Sequence, residues 1–240
     1  MKISFEEMWK KLEKYFIVDH VLEQGFSNGK YTMILAKYAK NVVGIDVSED
    51  FLKVANENLK DYNNIKLYLM DAQKMNFSDK SFDAILNTSF HEFDLSHGFF
   101  NMDLDLKRKI LEEMIRVSNT IIFIEPTETA VTNELFKVFD SSEQHDIRIE
   151  ESNKLISSVM DENGYKLIET GLTYNRDDFA SREELEEAML DWWSDIKVPT
   201  TEKERNLMIS QIDDILNKAG MLNYNYVIED IRFNVYRKVN

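Results

Sequence analysis

The chain has 240 residues, 43% hydrophobic and 12% aromatic, which is enough apolar material for a sizeable core and too much for a disordered polymer. Its 29 basic and 44 acidic side chains leave a net charge of −15, which disfavours a nucleic-acid partner because such binders carry a basic face. The absence of cysteine excludes disulfides and thiolate-held metal.

No apolar run approaches membrane-spanning length and the N-terminus lacks a secretory apolar core, so the expectation is a cytoplasmic protein with no membrane span. Phe5, Met8, Trp9, Leu12 and Phe16 recur at helical spacing, which predicts an amphipathic helix within residues 1–18 that closes one edge of the core. Residues 20–46 then read as a short strand, a turn, a helix, a second strand and a terminal carboxylate. In the turn, Gly25, Ser27 and Gly29 alternate with larger residues, so the backbone can bend sharply and a ligand can approach the amides at the helix start. Asp46 follows Gly25 by roughly twenty positions, the separation at which an acid grips ribose hydroxyls in a nucleotide-binding βαβ unit.

Ser48 is the expected N-cap of the next helix, with Glu49 and Asp50 in its first turn and Leu52, Ala55 and Leu59 as its apolar stripe. Residues 65–70 form a third expected strand ending at Asp71 and Ala72, and residues 82–88 a fourth, followed by Phe90, His91 and Glu92. A helix over residues 103–117 carries Lys107, Arg108 and Lys109, read as a solvated face, and residues 120–124 are a fifth strand closed by Glu125 and Pro126. Strands alternating with helices at this spacing imply a mainly parallel sheet covered on both faces.

Farther on, a helix is expected around residues 153–163 and a sixth strand over 165–174. Ser181 with Glu184, and Thr201 with Glu204, are capping boxes that start two helices. Leu185, Ala188, Met189, Trp192 and Trp193 form the apolar face of the first, and Met208, Ile212, Ile215, Leu216 and Ala219 that of the second. Ile231, Phe233 and Val235 alternate with polar residues in a last strand suited to an antiparallel edge or near-edge position. The expected organisation is one domain over residues 1–240: an N-terminal helix (1–18), a cofactor-binding core (19–175), a helical cap inserted between the last two strands (176–222) and the final strand (223–240).

Taken together, the segments VLEQGFSNG, VVGIDVSEDFLKVANENL, LMDAQKMNFSDKSFDAILNTSFHEF and IIFIEP resemble class I S-adenosylmethionine-dependent methyltransferases. The likeness is to the small-molecule branch typified by the ubiquinone/menaquinone C-methyltransferases. It implies a Rossmann-like α/β fold whose seven-stranded sheet ends in an antiparallel strand, with S-adenosylmethionine across the strands' carboxyl ends and S-adenosylhomocysteine as product. It further implies that Glu23, Gly25, Phe26, Ser27 and Gly29 surround the methionine part of the cofactor. Asp46 would hold the ribose, Val47 and Asp71 with Ala72 the adenine, and Asn87 and Thr88 would lie beside the sulfonium. Three positions depart from the family: Ser27 stands where it has a glycine, Glu23 is a minor change from its usual acid, and Val117 runs straight on to Thr120 without the glycine-rich turn before the fifth strand.

The acceptor side is read from position. His91, just past the fourth strand, is a candidate general base, and Glu92, Arg176, Trp192 and Trp193 are candidate acceptor contacts. Trp192 and Trp193 also suit packing between cap and core, and Arg176 a solvated turn. Asp94 and His97 near His91 hint at metal, but H-E-x-x-H spacing is lacking and no metal is expected. Gly25-x-Ser27-x-Gly29 also matches a hydrolase nucleophile elbow, with His91 or His145 as base, yet too little sheet precedes it. A nicotinamide-dependent oxidoreductase would want glycine where Lys30 stands. The expectation is methyl transfer to a small-molecule acceptor, with no nucleic-acid partner. The alternatives are a cofactor-binding protein without transferase activity and a methyltransferase acting on protein.

Overall fold

The computed structural model describes residues 2–88, 90–93, 102–140, 145–192, 194, 197–221 and 225–239. Strands β1 (His20–Gln24), β2 (Asn41–Asp46), β3 (Ile65–Leu69), β4 (Ala84–Thr88), β5 (Thr120–Pro126), β6 (Tyr165–Asp178) and β7 (Tyr226–Lys238) form a seven-stranded sheet. Their order is β3-β2-β1-β4-β5-β7-β6. The first five strands are parallel, and β7 runs antiparallel between β5 and β6. The chain reverses its direction of growth between β1 and β4, so the carboxyl ends of these two strands part into a crevice.

Helices cover both faces, which is why β4 (AILNT) and β5 (TIIFIEP) are buried nearly throughout. On one face α1 (Phe5–Leu12) and α2 (Lys30–Leu35) pack Met8, Trp9, Leu12 and Leu35 against Val21, Leu86 and Ile122. Across the sheet, α4 (Leu104–Val117) and α6 (His145–Glu162) set Ile110, Met114, Ile156 and Val159 against Leu22, Ile85 and Phe123. The N-terminal helix starts in a full capping box of Ser4 and Glu7. Ser48 caps α3 (Glu49–Asn58), its hydroxyl accepting from the Phe51 amide at 3.2 Å.

Several boundaries differ from the sequence-based expectation. Helix α5 (Val131–Phe139) stands where none was expected. Its Val131, Thr132, Phe136, Val138 and Phe139 are weak helix formers and Ala130 offers no capping side chain, so packing stabilises it rather than propensity. Helix α6 starts at His145 instead of around residue 153, and β6 runs on to Asp178 because every residue from Thr170 to Asp178 pairs with β7. Strand β4 begins at Ala84, and Phe82 makes only an isolated bridge to Ser118.

The inserted helices α7 (Arg182–Trp192) and α8 (Glu202–Lys218) start where the capping pattern put them. Ser181 Oγ accepts from the Glu184 amide at 3.1 Å, and Thr201 Oγ1 from the Glu204 amide at 3.1 Å. The two glutamates reach one residue farther back than in a capping box, to the amides of Ala180 at 2.6 Å and Thr200 at 2.9 Å. Leu185, Met189, Met208, Ile212 and Leu216 close over Leu135, Val138 and Phe139. The layer is therefore three helices, with α5 as its base.

Candidate functional site

The crevice is walled on its cofactor side by the turn after β1. Gly25 and Gly29 hold φ of +74° and +87°, and Ser27 is left-handed at +48°, a conformation that costs a serine about 1 kcal/mol. Asp46, at the end of β2, fastens that turn: its carboxylate accepts from the Ser27 amide at 3.0 Å and from the Ser48 amide at 2.9 Å. Val47 beside it is 62% exposed, an apolar surface at the crevice mouth. Asp71 is held by the Gln73 amide at 2.8 Å, next to the buried Ala72. The Phe26 ring is the exception among the expected contacts. It is buried with Ala55 and Leu59 under α3, so only its backbone belongs to the turn.

Two buried polar groups under the crevice test the fit of the cofactor. Glu23 is buried and accepts from the Thr32 hydroxyl at 2.5 Å, with no ion pair among the described residues. Burial pushes its carboxyl up to about 8, helped by the charge of Asp46. Asn87 is fully buried at the end of β4; its amide donates to Gln24 at 3.3 Å, while its Oδ1 has no partner among the described residues. An unpaired carboxyl and an orphaned acceptor, beside a strand-terminal carboxylate, fit a ligand that carries an ammonium group and paired hydroxyls. S-adenosylmethionine is such a ligand.

Beyond Ser27 and Thr88 the crevice widens into a cavity of about 460 Å³. His91, Glu92, His145, Asp177, Glu229 and Trp192 are among the residues that line it. His91 sits in a 3-10 turn, Phe90–Glu92, with its ring 4.9 Å from that of His145. Its Nδ1 lies 2.7 Å from Glu125, whose carboxylate also accepts from the amides of Phe90 and His91. Burial pulls the His91 imidazole down, but the hydrogen bond and charge of Glu125, with the charge of Glu92, raise its pKa above the ordinary value. Glu92 lines the cavity half-exposed, and its partial desolvation raises its carboxyl. The hydrogen bond and charge of His145 and the charge of His91 outweigh it and leave the pKa below the usual range. Burial raises both Glu229 and Asp177.

Lys107 overturns its expected place on a solvated face. It is fully buried and donates to the carbonyls of Phe90 at 3.0 Å and His91 at 2.5 Å and to Ser152 at 3.2 Å, which ties the 3-10 turn to α4 and α6. Its neighbour Arg108 does point outward, to Glu162. Arg176 lies in β6 rather than in a turn. It pairs with Asp178 at 2.6 Å, stands 4.0 Å over the Tyr226 ring and stays off the cavity, while its strand neighbours Asn175 and Asp177 line it. That is the alternation of a strand. Trp192 is 40% exposed at the cavity rim rather than packed in the cap's core. Trp193, Asp94 and His97 lie outside the described residues.

Sequence reading missed Glu125, Lys107, Glu229 and Asp177 as site residues. Glu125 carried a signal, being an acid at a parallel strand's carboxyl end like Asp46. Glu229 and Asp177 carried none, since only the β6–β7 pairing brings them to the cavity.

Residues 21–119 match the family described as Methyltransferase domain. This match covers about two fifths of the chain, and the strand order and crevice are those of a Rossmann-like methyltransferase fold. The fold is shared over 98% of this chain and 100% of a solved Bacillus halodurans structure, at 18% identity and a TM-score of 0.64. It is also shared with the N-methyltransferase NodS of Bradyrhizobium japonicum in complex with S-adenosylhomocysteine, over 98% of this chain and 87% of that one, at 12% identity and a TM-score of 0.52. In sequence, the chain is 39% identical over 61 residues to ribosomal RNA small subunit methyltransferase A of Clostridium botulinum, 25% of this chain and 22% of that protein. The chain spans about a third or less of the length of the curated relatives it matches. Among the described residues no helix is long and apolar enough to cross a membrane.

Proposed function

We propose that this chain transfers a methyl group from S-adenosylmethionine to a small-molecule acceptor held in the cavity beneath the cap. The observation that carries the reading is the cavity itself: about 460 Å³, bounded by Ser27 and Thr88 on the cofactor side and by His91, Glu92 and Trp192 on the other. That volume suits a small molecule. Glu23, Asp46, Asp71 and Asn87 hold the cofactor in this reading, with the turn from Gly25 to Gly29 and the rim residue Val47. When bound, S-adenosylmethionine supplies a methyl group on an already activated sulfur.

The chain's own work is then alignment and exclusion of water. Thr88 and Ser27 meet the acceptor where cofactor side and cavity join. His91 presents Nε2 to the acceptor because Glu125 occupies its Nδ1. Trp192 closes the rim. The carboxylates of Glu92, Glu229 and Asp177 make the wall acidic, which favours an acceptor without phosphate groups and disfavours nucleic acid. The family likeness extends this reading to the ubiquinone/menaquinone type of acceptor.

The test is purified protein with S-adenosylmethionine carrying a labelled methyl group, offered a small-metabolite extract, bulk RNA or a mixture of basic proteins. Label transferred to a molecule under about 1 kDa, with S-adenosylhomocysteine formed in step, is the expected result. Label in RNA or protein alone would move the acceptor to that class. Calorimetry showing NAD bound and S-adenosylhomocysteine not bound would overturn the cofactor.

A further inference from the structure

We propose that His91, Glu92 and His145 form a binding site for a divalent transition-metal ion at the wall of the cavity. One nitrogen from each histidine and one oxygen of Glu92 lie within 4.8 Å of one another. The Glu92 Oε1 atom is 3.7 Å from His91 Nε2 and 3.9 Å from His145 Nε2. Ligands bonded to zinc at about 2.1 Å stand roughly 3.0–3.5 Å apart, so shifts of about 1 Å shared among Glu92 and the two rings bring the set to bonding distance.

The surrounding hydrogen bonds decide which atoms face inward. Asn133 donates its amide to the carbonyls of Thr127 at 3.1 Å and Glu128 at 2.9 Å, and carbonyls only accept. Its Oδ1 must therefore be the atom 2.8 Å from His145 Nδ1, which makes Nδ1 the donor and places the lone pair of the neutral ring on Nε2. Glu125 does the same for His91, its carboxylate accepting from Nδ1 at 2.7 Å. Both rings thus turn Nε2 toward one carboxylate, and a metal bound there would displace any Nε2 proton. Imidazoles oriented this way by a carboxylate and an amide oxygen are the support that metal-bound histidines carry.

The electrostatics of the cavity point the same way. Glu229 and Asp177 add two further carboxylates, and no lysine or arginine lines the cavity among the described residues. The two edges of the site come from stretches far apart in sequence: His91 and Glu92 follow β4, and His145 begins α6. Phe136, stacked on the His145 ring at 5.0 Å, holds it at that end. Two imidazoles and one carboxylate on one side of an open cavity suit zinc, iron(II), cobalt(II) or manganese(II), with positions left for a second molecule. Metal at Nε2 and the general-base role expected of His91 make opposite demands on one lone pair.

The test uses the full chain, stripped with a chelator and titrated by calorimetry with Zn²⁺ and, separately, followed by visible absorption with Co²⁺. S-adenosylhomocysteine binding is measured on the same samples, so that failure of the metal site and failure of the cofactor reading are told apart. The expected result is one equivalent of metal bound at micromolar or tighter Kd, with a cobalt spectrum of nitrogen and oxygen ligation. Glu92→Gln and His145→Ala are each expected to weaken it by at least about 100-fold, and Asn133→Leu by about 10- to 100-fold through the tautomer it sets. Glu92→Gln alters a half-exposed side chain, so a melt matching the parent keeps the result interpretable if His145→Ala fails to fold. No stoichiometric Zn²⁺ or Co²⁺, or equal affinity in the parent and Glu92→Gln, would overturn the site and return His91 Nε2 to proton transfer.

Discussion

Glu23 shows how one buried group links stability to ligand binding. Its carboxyl titrates near 8 in the folded chain against an ordinary 4.5, because burial outweighs the hydrogen bond from Thr32. The folded state therefore favours the protonated acid, and stability falls as pH rises from the unfolded value toward 8, by up to about 3 kcal/mol at pH 7. Glu23→Gln keeps an acceptor for Thr32 and removes the titration, so its melting temperature is expected to exceed the parent's at pH 8 and match it near pH 4. Equal pH profiles would place the charge elsewhere. Asp46 acts differently: its two carboxylate oxygens hold the Ser27 and Ser48 amides at the end of β2. Asp46→Ala is expected to weaken S-adenosylhomocysteine by roughly 30- to 100-fold, or about 2–3 kcal/mol, as measured by calorimetry. An unchanged Kd would put the ribose elsewhere.

Among elements, the cap carries its own start signals yet depends on a helix the sequence hides. Thr201 and Ser181 cap α8 and α7 through side-chain hydrogen bonds, which local pattern reveals. Their apolar stripes need Leu135, Val138 and Phe139 of α5, a helix with weak propensity and no side-chain cap. Ile212→Ala, at a fully buried position of this layer, is expected to cost about 2–5 kcal/mol in denaturant unfolding. A loss below about 1 kcal/mol would mean the layer packs loosely. Trp192→Ala should do the reverse. Its ring is 40% exposed at the rim, so the melt should hold while acceptor KM rises several-fold and cofactor Kd stays constant. A collapsed melt with normal kinetics would make Trp192 a packing residue.

At the scale of the molecule, a charge of −15 surrounds a cavity that is itself acidic. Binding of RNA at 50 mM salt is expected to be undetectable by gel shift at micromolar protein, and a micromolar complex that weakens steeply with salt would reverse the acceptor class. The order of strands and helices over the first half, the glycine turn, Asp46, Asp71 and both cap starts were legible in the chain, because each rests on local periodicity, turn chemistry or a fixed spacing along one βαβ unit. The His91–Glu125 pair, the burial of Lys107, the meeting of His145 with Glu92 and the turning of Glu229 and Asp177 into the cavity were not. Each of those joins residues far apart in sequence, and only strand register and helix docking bring them together. A lysine in a basic run looks solvated until the 3-10 turn beside it offers two carbonyls that need a donor.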